Sequence, residues 1–221
     1  MTVKAVVFDM DGVIFDSERL CLVCWTEIAE KYGISDIEAA CRECLGVNDK
    51  KTEETMLARY GADFPYEAYR KEASALFHSK ADGGRLPRKP GVKELLTYLK
   101  GNGVKLAVAS STRYAVVKQE LGDGGLLAFF DAVIGGDMVK AGKPAPDIFL
   151  RACRELGAVP EETYVIEDSY NGIRAAHAAG MIPVMVPDLA EPTEEMKRLA
   201  RVILPSLCEV KEYFCRAGEE T

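Results

Sequence analysis

The sequence has no apolar run of the roughly 20 residues that a membrane-spanning helix requires, because its longest apolar runs have the length of short strands. Its N-terminus also lacks the basic and then apolar segments of a secretory leader. Basic residues are in the minority, with 28 Lys and Arg against 35 Asp and Glu and a formal net charge of −7. Such a charge repels a polyanion. The sequence therefore predicts a cytoplasmic protein that binds neither a membrane nor nucleic acid.

Extensive disorder is also disfavoured by the composition. Hydrophobic residues make up 48% of the sequence and charged residues 29%, which is ordinary for a globular protein that buries a sizeable core. The 221 residues exceed a typical domain of about 100–150 residues but fall short of two such domains. The length therefore predicts one core that carries an insertion.

Cysteine does not form the pattern of a disulfide-stapled protein, since the seven residues are odd in number and partly scattered. Cys21, Cys24, Cys41 and Cys44 form two Cys-x-x-Cys pairs with the spacing of a zinc site. Both pairs, however, lie in segments with helical apolar periodicity, "LCLVCWTEIAEKY" and "IEAACRECLG", whereas zinc knuckles are tight turns. Buried free thiols between packed helices are the favoured interpretation, and zinc is the alternative.

Short apolar runs between turn residues predict six strands: Val3–Phe8, Val104–Ala109, Ala132–Ile134, Tyr164–Ile166, Ile182–Val186 and, more weakly, Val202–Leu204. Amphipathic segments between them predict helices over Gly91–Lys100, Arg113–Leu121, Asp147–Leu156, Gly172–Ala179 and Thr193–Ala200. Strands that alternate with helices pair in parallel. The pattern therefore predicts an α/β fold with a doubly wound parallel sheet, in which ligands bind at the carboxyl ends of the strands.

The long segment between the first and second predicted strands has a different character. Its stretches "SERLCLVCWTEIAEKYG", "DIEAACRECLG", "DKKTEETMLARYG" and "PYEAYRKEASALFHSK" all have the pattern of amphipathic helices, several of them closed by glycine. We predict a helical cap domain over residues 15–86, inserted into a core domain of residues 1–14 and 87–221. The expected hinge consists of two crossings, the outgoing linker just after Asp11 and the Gly- and Pro-rich return segment "ADGGRLPRKPG".

Polar side chains follow four of the predicted strands. They are Asp9 and Asp11 after the first strand, Ser110, Ser111 and Thr112 after the second, Lys143 in the loop after the third, and Glu167 and Asp168 after the fourth. Paired carboxylates at the end of a buried strand resist joint ionisation, and the candidates that offset this cost are a bound cation, a positively charged side chain or a proton shared between the two. Carboxylate oxygens suit Mg²⁺, whereas Ser110, backbone amides and Lys143 suit the oxygens of a phosphate. The set predicts a site for a metal ion and a phosphate group.

Each element has a plainer explanation when it is taken alone. Ser-Ser-Thr after a strand is commonly a helix cap, a single lysine is commonly a solvated surface charge, and Glu167-Asp168 suits a helix N-terminus. The segment "GDMVKAGKP" is not a nucleotide-binding P-loop, because its glycine spacing is wrong and Pro144 replaces the required hydroxyl residue. The occurrence of all these elements at successive strand ends favours one common site.

The sequence resembles the haloacid dehalogenase (HAD) superfamily of phosphotransferases over essentially the whole chain. The resemblance rests on four segments that match the motifs of that superfamily in order: "DMDGV", "ASST", "GKPAPDIF" and "IEDSYNG". It implies a HAD-like, Rossmann-type core. The helical insertion resembles the cap of the subgroup that contains β-phosphoglucomutase and phosphoglycolate phosphatase.

The resemblance also implies roles for the polar residues. Asp9 would be the nucleophile that forms an aspartyl-phosphate, and Asp11 would be the general acid and base. Mg²⁺ would be held by Asp9, the Asp11 carbonyl and Asp168, with Glu167 acting through water. Lys143 would lie beside the nucleophile, and the phosphate-binding residues would be Ser110, Ser111 and Lys143.

These roles predict a Mg²⁺-dependent phosphomonoester hydrolase that acts on a small phosphorylated, sugar phosphate-like metabolite. A β-phosphoglucomutase-type phosphotransferase is the alternative, although Cys21, Leu45 and Asp49 stand where those enzymes carry histidine or basic residues. A non-enzymatic receiver-like module is more remote, because receivers lack the insertion and carry their acceptor aspartate where this chain has Ser110. Dehalogenation is disfavoured, because dehalogenases of the superfamily lack an aspartate at the position of Asp11.

The cap is expected to determine the substrate. Trp25, Asn48, Lys50 and Lys51 are the predicted lining residues of its pocket. The pattern contains no signal for an oligomer and is compatible with a monomer.

Overall fold

The computed structural model of the protein describes residues 3–44 and 49–219. Six strands form one sheet in the order β3-β2-β1-β4-β5-β6, and every neighbouring pair is parallel. The strands are β1 (Ala5–Phe8), β2 (Lys105–Ala109), β3 (Ala132–Ile134), β4 (Thr163–Glu167), β5 (Ile182–Met185) and β6 (Val202–Ile203). The predicted α/β fold with a doubly wound parallel sheet is confirmed.

Ten helices of more than one turn are found in the described residues. Between β1 and β2 lie α1 (Ser17–Tyr32), α2 (Ile37–Glu43), α3 (Asp49–Tyr60), α4 (Tyr66–Ala81) and α5 (Val92–Gly101). The others are α6 (Tyr114–Asp123), α7 (Asp147–Leu156), α8 (Tyr170–Ala178), α9 (Glu194–Leu199) and α10 (Leu207–Glu219). Within residues 3–44 and 49–219, no helix has both the length and the apolar content that crossing a bilayer demands.

Successive side chains of β1 point to opposite faces of the sheet, and the core therefore has two layers. Val6 and Phe8 point into a cluster that includes Leu95 of α5 and Phe214 of α10, whereas Val7 points to the opposite face. All three β1 residues are at most 1% exposed. A strand buried on both faces is a continuous apolar run, and this is why β1 could be recognised in the sequence.

Helix α10 is absent from the prediction. It packs against α5 and covers one face of the sheet with Leu207, Val210 and Phe214, all of them at most 1% exposed. Their spacings of three and four residues are a helical signal. This local signal lies beyond the sixth predicted strand, and the helix is therefore an addition to the predicted elements.

Helices α1 to α4 surround an apolar cluster of their own. Tyr69 at its centre is fully buried, and its ring lies 5.5 Å from that of Trp25 and 5.4 Å from that of Tyr32. The two chain crossings beside this helical segment are joined by backbone hydrogen bonds, from Asp16 N–H to the Pro87 carbonyl at 2.8 Å and from Lys89 N–H to the Ile14 carbonyl at 2.9 Å. The division into a cap of residues 15–86 and a core stays a prediction.

The seven cysteines are free thiols, and Cys24, Cys41 and Cys153 are buried. Burial raises the pKa of both the Cys21 and the Cys41 thiol to about 12. The groups of candidate metal ligands found among the described residues consist of carboxylates and contain no cysteine.

Candidate active site

Asp9 and Asp11 occupy the end of β1 at the carboxyl edge of the sheet. The Asp9 amide continues the parallel ladder by donating to the Ile166 carbonyl of β4 at 2.9 Å, which fixes the backbone beside that strand. Asp9 is buried, with 7% of its surface exposed. The carboxyl ends of β1 and β4 are neighbours. Asp9 therefore meets Glu167, the last residue of β4, and Asp168, although 157 residues lie between Asp9 and Glu167 in the sequence.

Lys143 connects these acids. Its ammonium nitrogen lies 2.6 Å from Asp9 Oδ1 and 2.6 Å from Glu167 Oε1, and only 6% of its side chain is exposed. The nitrogen also lies 4.9 Å from the ring centroid of Phe149, within the range of a cation–π contact. Burial alone would lower the pKa of Lys143, but the charges of Asp9 and Glu167 outweigh it and raise the pKa above its ordinary value.

Close backbone approaches position Glu167 and Asp168. Gly12 has φ +75°, and a Cβ there would lie 2.4 Å from Asp168 Oδ2, so that only glycine fits without a shift. Gly172 leaves space for Glu167, whose Oε1 would be 1.7 Å from an added Cβ. The Glu167 carboxylate also accepts a hydrogen bond from the Ser169 amide at 2.7 Å.

The oxygens of Asp9, Glu167 and Asp168 meet the requirements of a divalent cation. Each residue offers an oxygen that lies within 4.8 Å of the other two, and all three residues are buried. Burial raises the pKa of Asp9 to about 8, although Lys143 partly opposes this, and burial together with Glu167 holds the pKa of Asp168 well above its ordinary value. For Asp9 and Asp168, the single Lys143 ammonium therefore does not outweigh the cost of burying negative charge. A hard divalent cation, which prefers carboxylate oxygens, would supply further positive charge.

Hydroxyl groups surround the Asp11 carboxylate. Ser17 donates to Asp11 Oδ1 at 2.7 Å, and Thr112 and Ser110 donate to Oδ2 at 3.1 Å and 3.4 Å. Neither Ser17 as a site residue nor the contact of Thr112 with Asp11 was predicted from the sequence. The proximity of Ser17 to Asp11 along the chain is a weak signal, because the turn between them decides whether the side chains face each other.

The predicted phosphate-binding residues differ in exposure. Ser110 is fully buried and its hydroxyl accepts a hydrogen bond from the Thr112 amide at 3.0 Å, whereas Ser111 is exposed. Helix α6 begins at Tyr114, and its first amide is bound to Asp137 Oδ1 at 2.8 Å. The amides of Tyr114, Thr112 and Ser110 therefore all have partners, the last of them the Ile134 carbonyl at 3.1 Å, and it is the Ser111 amide that could receive an anion.

A cleft of about 530 Å³ opens beside Asp11, between the carboxyl edge of the sheet and the helical segment. Its wall combines apolar, acidic and basic side chains, among them Ser17, Glu18, Trp25, Arg70, Phe77, His78, Thr112 and Glu120. Burial raises the pKa of Glu18 and of Glu120 to about 7, and Asp11 contributes to both shifts. Arg70 and His78 of α4 were not among the predicted site residues, because neither stands in a motif.

The predicted substrate residues have different locations. Trp25 lines the cleft. Lys50 and Lys51 are exposed on α3 outside the lining of the cleft, and Lys51 lies 3.3 Å from the Glu54 carboxylate. Asn48 and Leu45 lie outside the described residues. Cys21, one of the positions that differ from the mutase pattern, also lines the cleft.

Comparison of the chain with known proteins identifies a matching family, similar proteins and similar solved structures. The family model described as haloacid dehalogenase-like hydrolase matches residues 6–186. A phosphorylated carbohydrates phosphatase of Thermotoga maritima is 34% identical over 178 residues, covering 80% of this chain and 82% of the relative. The β-phosphoglucomutase of Bacillus subtilis is 34% identical over 192 residues, covering 83% of each chain. The crystal structure of a HAD family hydrolase from Deinococcus radiodurans, with bound phosphate and sodium, has a TM-score of 0.82 at 27% identity and covers 97% of this chain and 96% of its own.

Proposed function

The chain belongs to the haloacid dehalogenase-like hydrolase family, and from this premise we propose that it is a Mg²⁺-dependent phosphomonoester hydrolase. Its substrate is a small phosphorylated metabolite, and its reaction passes through an aspartyl-phosphate on Asp9. One observation carries the proposal. Asp9 is buried at the end of β1, 2.6 Å from the Lys143 ammonium, in one group with Glu167 and Asp168.

In the first step, an oxygen of Asp9 attacks the phosphorus atom and the bond from phosphorus to the ester oxygen breaks. Asp11 donates a proton to the departing oxygen, and the alcohol leaves. Lys143 orients the Asp9 carboxylate by binding its Oδ1 at 2.6 Å. The hydroxyls of Ser17 and Thr112 hold the Asp11 carboxyl in place, at 2.7 Å and 3.1 Å.

In the second step, a water molecule attacks the phosphorus atom and gives a proton to Asp11. The bond between phosphorus and the Asp9 oxygen breaks, which releases inorganic phosphate and restores both aspartates. Asp9, Glu167 and Asp168 would hold a divalent cation, which would supply positive charge for the phosphoryl oxygens. The Ser110 hydroxyl and the Ser111 amide would bind the same oxygens.

The cleft supports a small-molecule substrate. Its volume of about 530 Å³ lies within the range of roughly 300–1,000 Å³ that is usual for small-molecule sites. Trp25 offers an apolar face, and Arg70 and His78 of the helical segment are polar side chains that also line the cleft. The cytoplasmic location and the absence of a nucleic-acid partner stay predictions from the sequence.

A phosphomutase of the β-phosphoglucomutase type is the second candidate function. The B. subtilis β-phosphoglucomutase is as similar in identity as the T. maritima phosphatase. Arg70 and His78 also provide basic side chains in the cleft, although at positions other than those weighed in the sequence. Incubation with β-glucose 1-phosphate separates the two functions, since a hydrolase releases inorganic phosphate and a mutase forms glucose 6-phosphate.

The nucleophile and the acid are tested by Asp9→Asn and Asp11→Ala. We expect Asp9→Asn to abolish Mg²⁺-dependent hydrolysis of p-nitrophenyl phosphate, because an amide oxygen is too weak a nucleophile. Asp11→Ala should slow it by about 10²–10⁴-fold, the usual contribution of a general acid and base. Asp63→Asn, at an exposed position, serves as the control and should retain full activity. Unimpaired turnover in either active-site variant would refute the assignment.

A further inference from the structure

The carboxylates continue beyond Asp9, Glu167 and Asp168. Glu18, Asp168 and Asp188, here called the outer acid group, each offer an oxygen within 4.8 Å of the other two. Asp168 belongs to both groups, so that the outer acid group adjoins the candidate cation site. Glu18 comes from the first turn of α1 in the helical segment, whereas Asp188 follows β5 in the sheet.

Asp188 has an unsatisfied oxygen in this group. Its side chain is completely buried, and its Oδ1 accepts hydrogen bonds from Lys89 at 2.7 Å and from Arg19 at 3.2 Å. Its Oδ2 is buried and has no hydrogen-bond partner among the described residues. A buried carboxylate oxygen without a donor is costly, and buried polar groups in folded proteins are normally paired. The orphaned oxygen therefore indicates that a donor from outside the chain completes the group.

Glu18 gives a second reason to expect such a donor. It forms no hydrogen bond or ion pair with another residue in the described part of the chain, although it lies on the wall of the cleft beside other acids. Ion pairs with Lys89 and Arg19 account for the burial of Asp188 Oδ1. They leave Asp188 Oδ2 without a donor and Glu18 without a partner among the described residues. Acids crowded without compensation repel one another, and a nearby cation with its water removes this repulsion.

Mg²⁺ keeps several of its water molecules when it binds to a protein, and these waters are hydrogen-bond donors. Building on the proposed function, we propose that Glu18 and Asp188 accept hydrogen bonds from the water shell of the cation held by Asp9, Glu167 and Asp168. The helical segment thereby contributes to cation affinity through Glu18. By linkage, a bound cation favours the position of α1 in which Glu18 reaches Asp168.

The test is the affinity for Mn²⁺, measured by isothermal titration calorimetry on the whole chain without substrate. Glu18→Gln keeps the shape of the side chain and removes its charge. Partners beyond the direct ligands typically contribute 10–100-fold in affinity, and we therefore expect Glu18→Gln to raise the Kd about tenfold. Glu30→Gln is the matched control, since Glu30 is exposed on the same helix, and its Kd should equal that of the unaltered chain.

A rise of less than about threefold in Glu18→Gln would overturn the proposal. So would binding of two ions by the unaltered chain and of one by Glu18→Gln, because the outer acid group would then hold an ion of its own. If Glu18→Gln does not fold, Asp188→Asn is judged by the same threshold. Failure of the unaltered chain to bind Mn²⁺ would refute the cation in the proposed function itself.

Discussion

Replacement of Lys143 by methionine tests the electrostatics on which the candidate site depends. Lys143 Nζ lies 2.6 Å from the Asp9 and Glu167 carboxylates, and the exposed fractions of the three side chains are 6%, 9% and 1%. Methionine preserves most of the side-chain volume and removes the charge. Without a metal ion, the variant retains Asp9, Glu167 and Asp168 buried together and loses the ammonium group that now contacts two of them.

The expected effect follows from burial. Removal of one partner of a buried ion pair costs about 3–5 kcal/mol, because the other charge remains uncompensated. Lys100 provides the matched control, since its nitrogen also lies 2.6 Å from a carboxylate oxygen, that of Asp131, but the two side chains are 37% and 42% exposed. Exposed pairs contribute about 0–1 kcal/mol. We therefore expect Lys143→Met to lower the free energy of unfolding by about 4 kcal/mol and Lys100→Met by less than about 1 kcal/mol.

Urea unfolding at pH 7 with a chelator measures this difference. With a slope of about 3 kcal/mol per M, a loss of 4 kcal/mol lowers the midpoint by about 1.3 M. Relative to the unaltered chain, restoring Mg²⁺ should recover part of the loss in Lys143→Met and none in Lys100→Met, because only the first variant removes the ammonium partner of the acids at the cation site. Equal midpoints for the two variants would refute the inference that burial makes Lys143 indispensable.

Two further predictions concern Gly172 and Glu120. In Gly172→Ala, the new Cβ would lie 1.7 Å from Glu167 Oε1. We therefore expect the free energy of unfolding to fall by about 1–3 kcal/mol and the Mg²⁺-dependent turnover to weaken. Gly101→Ala in α5 is the control, because a Cβ there meets nothing within 4 Å, and its free energy of unfolding should rise by up to about 1 kcal/mol. Equal shifts of the thermal midpoint in the two variants would contradict this prediction. Burial raises the pKa of Glu120 from 4.5 to about 7, and between these values the unfolded chain has lost a proton that the folded chain keeps. Stability therefore falls as the pH rises through this range. Glu120→Gln has no such loss. Its free energy of unfolding, compared with that of the unaltered chain, should therefore be higher at pH 8 than at pH 4 by about 1 kcal/mol, after allowance for partial exposure. An unchanged pH profile would contradict this, and exposed Glu94→Gln is the control.

Most of the sheet could be predicted because its signals are local. The run from Ala5 to Phe8 is apolar throughout, as expected for a strand buried on both faces, and Asp9 marks its end. Since the carboxyl ends of parallel strands share one edge, Lys143, Glu167 and Asp168 were expected beside Asp9, and their side chains do lie together. The missed α10 carried an equally local signal in Leu207, Val210 and Phe214.

Burial and side-chain direction could not be predicted in the same way. A single lysine in a loop is usually solvated. Nothing near Lys143 in the sequence indicates that its side chain is buried, with only 6% exposed. The contacts of Ser17 and Thr112 with Asp11 depend on how the chain turns after β1 and β2. Arg70, His78 and Glu18 reach the cleft because α1 and α4 pack around Tyr69, and the orientation of a packed helix is set by contacts between distant residues.

The amino-acid sequence by itself determined the order of strands and helices and the strand ends that carry acids, hydroxyls and a lysine, because periodicity and residue chemistry act between near neighbours in the chain. The tertiary structure alone decided which charges are buried together, that Asp188 keeps an oxygen without a donor, and that Glu18 of α1 stands beside Asp168. Those features arise where segments far apart in the sequence exclude water from one another, and no local pattern encodes that exclusion.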